Sequence, residues 1–231
     1  MTTTLITGGN KGLGEETARR LVELGHTVYI GSRDEKRGRA AADRTGAHLL
    51  VMDVIDDASV AAAAALLAEH ETRLDVLINN AGVFDAMVKA DDATAADMLA
   101  VYDVNVFGIV RVIHAFLPLL QASDDPAIVN VGSGLGSFGV VTDPDRFEAQ
   151  WALPVYASSK AAVGMLTVQY AKALPGIRVN AADPGPTATD FTNNQAAQTV
   201  EQGTDAIVRL ATLGPDGPTG TYADRLGDVP W

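Results

Sequence analysis

The chain has 231 residues, enough for one α/β domain with a well-buried core. It contains no cysteine, which excludes disulfides, zinc–thiolate centres, iron–sulfur clusters and a thiol nucleophile, and its four histidines (His26, His48, His70, His114) lack the spacing of a metal site, so no metal is expected. A formal net charge of −12 argues against nucleic acid or an anionic membrane surface as a partner. Along the chain, short β-rich runs alternate with longer helical stretches. Strands are expected at 3–7, 27–32, 48–53, 76–79, 127–131 and 178–182, with a short last one near 219–223, and helices at 12–24, 35–44, 58–70, 95–121, 155–173 and 199–213. Most strand runs are continuously apolar, as strands buried on both faces require, so the expected class is α/β: a parallel sheet with helices on both faces. No apolar run approaches the roughly 20 residues of a spanning helix, and residues 1–5 enter the first strand without a leader pattern, so a cytoplasmic location is expected.

The first strand closes on Thr7-Gly8-Gly9-Asn10-Lys11-Gly12-Leu13-Gly14 and helix follows at once. Gly8 suits a tight turn, Gly12 lets backbone approach a pyrophosphate, and Gly14 permits close packing of the helix, whose unpaired N–H groups favour an anion. Asn10, Lys11 and Leu13 complete the turn. A bare glycine loop is the alternative, and the strand-to-helix junction weighs against it. The second strand ends in Gly31-Ser32-Arg33, where a site for the unphosphorylated dinucleotide would set Asp or Glu against the ribose hydroxyls. Ser32 and Arg33 instead suit a 2′-phosphate, with Lys11 as a further cation, so NADP(H) is the expected cofactor. Asp34 pulls against that preference, and Arg33 as a solvated surface charge is the alternative.

Tyr156-Ala157-Ser158-Ser159-Lys160 sets a phenol and an ammonium four residues apart, on one helix face. Bringing a tyrosine from pKa about 10 to about 7 takes roughly 4 kcal/mol of differential stabilisation, which a neighbouring cation helps to supply. Alone, the pair also describes a half-buried tyrosine beside a snorkelling lysine.

Taken together, the turn Thr7 to Gly14, Asn79-Asn80-Ala81-Gly82, Asn105, Ser133, Tyr156 to Lys160 and Pro184-Gly185 stand in the order of the classical short-chain dehydrogenase/reductase family, which the chain resembles over nearly its whole length. The glycine turn with Ser32-Arg33-Asp34, and the segment Val229-Pro230-Trp231, look like the NADPH-dependent carbonyl reductase branch. The resemblance implies a single Rossmann-type domain over 1–231, doubly wound around a mainly parallel seven-stranded sheet, that reduces a ketone or aldehyde of small-molecule size. It implies that Tyr156 protonates the carbonyl oxygen while Lys160 lowers its pKa and holds the nicotinamide ribose. Ser133 would donate to the substrate oxygen, with a plain turn serine as the alternative. Asn105 would reach the lysine through water, or else mark a helix kink. Asn80, Ala81 and Gly82 would let the cofactor pass the fourth strand, Asp53 and Val54 would contact the adenine unless Asp53 is only a helix cap, and Pro184, Gly185, Thr187 and Thr189 would orient the nicotinamide carboxamide.

Ser133 and Tyr156 enclose more chain than most classical members carry there. This insertion, 135–155, brings Phe138, Phe147 and Trp151, either as a hydrophobic wall over substrate or as a shield over the helix faces that make oligomers, and both monomer and homo-oligomer stay open. Residues 143–150 are the expected loop within it. The substrate loop, 186–200, is short and polar. Two other readings are carried: an alcohol dehydrogenase working oxidatively, and a protein that binds NADP(H) as a sensor without turnover, against which the joint presence of Asn105, Ser133, Tyr156 and Lys160 argues.

Overall fold

The computed structural model describes residues 1–84 and 88–231. Seven strands, β1 (Thr3–Thr7), β2 (Thr27–Ser32), β3 (His48–Val51), β4 (Val76–Asn79), β5 (Ala127–Val131), β6 (Arg178–Ala182) and β7 (Tyr222–Ala223), form one all-parallel sheet in the order β3-β2-β1-β4-β5-β6-β7. The chain winds outward from β1 to β3 and then returns to β4 beside β1. This reversal opens a crevice at the carboxyl ends of the central strands, where doubly wound sheets bind ligands.

Strand alternation divides the core into two layers. Leu5, Leu77 and Ile128 face one side, toward α3 (Asp57–His70), α5 (Gly108–Gln121) and α7 (Pro154–Ala173), where Leu67, Phe116 and Val163 pack. Their neighbours Ile6, Ile78 and Val129 face α1 (Gly12–Glu23), α2 (Glu35–Thr45) and α9 (Asp205–Ala211), meeting Leu21, Ala41 and Ile207. Each fully buried Leu or Ile contributes about 1.5–3 kcal/mol relative to exposure, so the sheet is a firm platform for whatever its carboxyl edge presents.

Three departures from the expected elements have local causes. β3 stops at Val51, because Met52 N still donates to Ser32 O at 3.0 Å but Asp53 N turns away to Ser59 Oγ, also at 3.0 Å. The helix expected over 95–121 is α4 (Ala95–Tyr102) and α5 joined by a π-helical turn, Asp103–Phe107, around Asn105. An 18-residue stretch of this 27-residue helix, with mean hydropathy 1.5, is long and apolar enough by composition to span a bilayer, but Asp103 and Arg111 interrupt the helix, and Val112, Ile113, Phe116 and Leu120 lie buried in the first core layer. The last helix splits into α8 (Val200–Gly203) and α9 at Thr204, whose hydroxyl donates to Glu201 O at 2.8 Å.

The insertion is structured: a 3₁₀ turn (Gly134–Gly136), α6 (Phe138–Val141) and a second 3₁₀ turn (Phe147–Gln150). Its start is wedged against α7 so tightly that a Cβ on Gly136 would lie 2.4 Å from the carbonyl carbon of Lys160. Gly139 N donates to Trp231 O at 2.9 Å, and the Trp231 ring stacks on Tyr222 at 5.3 Å, which clips α6 to β7.

Candidate active site

The turn after β1 has the backbone its glycines suggest. Gly8 (φ +64°) and Gly12 (φ +55°) are left-handed, and a Cβ on Gly14 would lie 2.5 Å from Gly8 O. Lys11 N-caps α1 with no side-chain hydrogen bond, so the first-turn N–H groups of α1 point into the crevice with their dipole uncompensated by a capping side chain. Asn80 fastens the turn from β4, its amide donating to Thr7 O at 2.8 Å and Gly8 O at 3.1 Å, while Thr7 Oγ1 accepts from the N–H of Asn80 and of Ala81. A Cβ on Gly8 would meet Ala81 Cα at 3.0 Å. Asn79 and Asn130 extend the bracing across the sheet, linked at 2.9 Å, and Asn130 reaches Thr167 on α7 at 2.9 Å. Thr7 was read only as the start of the turn, and Asn130 and Thr167 were outside the sequence reading, since nothing local in a strand or helix residue announces a partner dozens of residues away.

At the end of β2, Asp34 is the N-cap of α2: its carboxylate accepts from Arg37 N at 3.0 Å and lies 3.4 Å from Arg37 Nε. The carboxylate that counted against a 2′-phosphate is therefore committed to a helix. Ser32 Oγ donates to Asp34 O at 2.9 Å, and the exposed Arg33 has no ion-pair partner among the described residues. Lys11, expected as a second cation, instead pairs with Asp190 at 3.2 Å, across the crevice from the turn. Both groups are exposed, so this pair is weak and exchangeable. Asp53 is not the cap of α3; Asp56 is, accepting from Ala58 N and Ser59 N, and the Asp53 carboxylate accepts instead from Ile55 N at 3.3 Å.

The residues expected to be catalytic gather where β4, β5 and β6 end. Pro154 at the first position of α7 and the helical spacing set Tyr156 and Lys160 on one buried face. Lys160 Nζ donates to Val131 O at 2.8 Å and lies 5.8 Å from the centroid of the Tyr156 ring, whose other side meets Phe84 edge-on at 4.9 Å. Burial pushes the Lys160 ammonium down to about 8, with the Asp183 carboxylate opposing that shift. Ser133 leads out of β5 two residues beyond the carbonyl that Lys160 holds, and its Oγ accepts from Leu135 N at 3.3 Å. The helix-kink reading of Asn105 has its counterpart in the π-helical turn where it sits. Its Oδ1 accepts from Val83 N at 2.8 Å, and its Nδ2 donates to Val83 O at 3.0 Å and Ser159 Oγ at 3.1 Å. A Cβ on Gly82 would lie 3.4 Å from Asn105 Oδ1 and 3.8 Å from Lys160 Nζ, so Gly82 keeps room where these groups meet.

Beyond β6, Gly185 is left-handed (φ +64°) and Thr187 is buried, its hydroxyl donating to Pro184 O and Gly185 O at 3.2 Å. The loop 186–200 is held by its own bonds: Thr187 bridges Gln198, and Thr192 Oγ1 donates to Thr187 O at 2.6 Å. Thr189 faces Gly12 across the crevice, its Cγ2 3.6 Å from where a Cβ on Gly12 would be. Val54 lies against Gly108 on α5, 3.1 Å from the corresponding position. In the insertion, Phe147 and Trp151 pair edge to face at 5.8 Å and are exposed, as is Phe138. Four residues the sequence reading passed over border the site: Asp183, Tyr222, Glu148 and Gln198, whose buried Oε1 has no partner among the described residues. No group of three or more metal-ligating side chains occurs among the described residues.

A family model described as short chain dehydrogenase matches residues 2–200. The chain belongs to the short-chain dehydrogenase family. Among its curated relatives, a short-chain dehydrogenase, anuI, of Penicillium roqueforti is 38% identical over 226 residues, covering 91% of this chain and 88% of that protein. The (-)-isopiperitenone reductase of Mentha piperita is 32% identical, covering 96% and 95%. Among solved structures, an NADPH-bound carbonyl reductase from chicken fatty liver superposes with a TM-score of 0.88 at 26% identity, covering 100% of this chain and 99% of that one. These short-chain dehydrogenases share the all-parallel Rossmann-type sheet, which bears out the expected fold class.

Proposed function

We propose that this short-chain dehydrogenase reduces the carbonyl of a small ketone or aldehyde with NADPH, Tyr156 being the acid. The observation that carries the reading is the buried Tyr156–Lys160 pair at the carboxyl edge of the sheet, in the same crevice as a glycine turn that offers α1 N–H groups to an anion. The residues fit the cofactor, because the left-handed Gly8 and Gly12 leave a backbone cradle that a Cβ would narrow, and Arg33 is uncommitted beside Ser32 while Asp34 is occupied. Gly8, Gly12, Gly14, Ser32 and Arg33 would hold the phosphates, and Asn80, Gly82, Lys160, Pro184, Gly185, Thr187 and Thr189 the nicotinamide half. Bound there, the dinucleotide supplies a hydride.

The chain's own residues supply the proton and the charge stabilisation. The phenol of Tyr156 gives its proton to the carbonyl oxygen, and the Lys160 ammonium favours the phenolate that remains. The Ser133 hydroxyl donates to the same oxygen as negative charge develops. Asn105, fastened to Val83 and Ser159, positions the exit of β4 against α7. The similarity to an NADPH-bound carbonyl reductase and to a (-)-isopiperitenone reductase supports carbonyl chemistry over binding without turnover. Following nicotinamide absorbance with a panel of cyclic and aromatic ketones and aldehydes tests the reading. The expected result is turnover with NADPH at least tenfold more efficient than with NADH, from one lost charged hydrogen bond of about 1.5–3 kcal/mol. Tight NADPH binding with no turnover on any carbonyl would favour the sensor.

A further inference from the structure

Asp183 directly follows β6, beyond the end of the strand at Ala182. Its residue is buried, and no lysine or arginine forms an ion pair with it among the described residues. Its carboxylate faces backbone from two separate loops. Oδ1 accepts from Gly185 N at 2.9 Å, in the loop assigned to the nicotinamide. Oδ2 lies 3.0 Å from where a Cβ on Gly134 would stand, so it is seated against the turn one residue past Ser133. The Tyr222 hydroxyl stands on the other side of Ser133, 2.8 Å from the Cβ position of Gly132, and is itself buried under the Trp231 ring. Burial pushes the Asp183 carboxyl up, and the backbone N–H groups near it pull it back toward the charged form.

We propose that Asp183 is a positioning residue: with Oδ1 bonded to Gly185 N and Oδ2 seated against Gly134, its carboxylate clamps the Ser133–Gly134 turn to the Pro184–Gly185 loop, fixing the substrate-oxygen donor relative to the nicotinamide half of the cofactor, with Tyr222 Oη seated against Gly132 beside it. The inference rests on the reading of Ser133 and of the Pro184–Gly185 loop given above. A carboxylate suits the task because neither of its ends is a donor, whereas an asparagine has one acceptor and would aim its amide N–H groups at one of the two turns. The glycines around it follow from this arrangement. Gly132 and Gly134 make room for Tyr222 Oη and for Asp183 Oδ2 respectively, and Glu148 Oε1 of the insertion closes over the same point of Gly134 at 3.2 Å.

The test uses Asp183→Asn, Asp183→Ala and Tyr222→Phe in the full chain, with three readouts: steady-state turnover, the emission of bound NADPH as a report on the nicotinamide environment, and affinity for the adenosine bisphosphate half of NADP. The clamp predicts that kcat falls by roughly 10²-fold in Asp183→Ala, as loss of alignment by about an ångström does, and less in Asp183→Asn, which keeps one acceptor. NADPH emission changes with it, while affinity for the adenosine bisphosphate half stays within about twofold, because that half sits at the Gly8–Gly14 turn and Arg33. Wild-type turnover and emission in folded Asp183 variants overturn the clamp. So does a loss of affinity for the adenosine half in step with the loss of folded protein, which marks a role in stability alone. Absence of NADPH binding by the wild-type chain would instead bring down the functional reading itself. If Asp183→Ala fails to fold, the nearly isosteric Asp183→Asn and the separate Tyr222→Phe carry the same comparison.

Discussion

Two connections at the carboxyl edge are rich in glycine, and they use it for opposite purposes. Between β1 and α1, Gly8 and Gly12 take left-handed backbone and Gly14 touches the backbone of Gly8, demands set within the turn itself, to which the close approach of Asn80 and Ala81 from β4 adds. Between β5 and α7, Gly132, Gly134 and Gly136 all avoid positive φ, and a Cβ there would collide with Tyr222, with Asp183 and Glu148, and with the backbone of Lys160. The first set shapes a turn to receive an anion. The second removes side chains so that distant parts of the chain can close around the catalytic serine. A local requirement is written in local sequence, whereas a requirement set by remote partners leaves only an unexplained glycine.

Five substitutions press on this difference. Lys160→Met removes the ammonium beneath Tyr156 and should lower kcat by about 10²–10⁴-fold with the fold intact, read from steady-state turnover. The same variant tests the buried charge through stability. Because Lys160 titrates near 8 in the folded chain and at 10.5 when free, the folded state loses its proton first, so wild-type stability should gain as pH rises from about 8 to about 10.5. The gain, on the order of 3 kcal/mol at most, should be missing from Lys160→Met in denaturant titrations across that range.

Gly136→Ala comes next: a Cβ 2.4 Å from the Lys160 carbonyl carbon must push the insertion off α7, at about 1–3 kcal/mol of stability and with impaired turnover. Gly14→Ala, against Gly8 O, should cost a similar amount but show itself chiefly as weakened NADPH binding, so calorimetry of binding beside thermal unfolding separates the two glycine sets. Arg33→Ala should reduce the preference for NADPH over NADH by roughly tenfold and leave turnover with NADH unchanged. Smallest of all, Lys11→Ala breaks an exposed pair with Asp190 and should shift stability by less than about 1 kcal/mol.

The same contrast explains what could be read in advance. β1, β2, β4, β5 and β6 fall on their expected bounds, because each is a short, β-prone run bounded by turn residues and buried along nearly all its length. Tyr156 and Lys160 were legible because a helix converts a spacing of four into a shared face. β3 was read too long, since Asp53 looks like a strand end until Ser59 is known to draw it away. The π-helical turn at Asn105 was visible only as a polar residue out of place in an apolar helix, and its three bonds to Val83 and Ser159 depend on packing that periodicity does not encode. Asp34 carried an ambiguity that its capping of α2 removes. Asp183 and Tyr222 gave no signal, because a carboxylate before Pro-Gly and a tyrosine in a two-residue strand acquire meaning only against Gly134 and Gly132.

The account turns on Tyr156 as the proton donor held beside a buried lysine, and Tyr156→Phe tests it most directly, with NADPH affinity and carbonyl turnover measured on one preparation. The phenyl ring keeps the packing against Phe84, so NADPH should bind within about threefold of wild type while kcat drops by roughly 10³-fold. Turnover retained in a variant that still binds NADPH would place the acid elsewhere and contradict the mechanism.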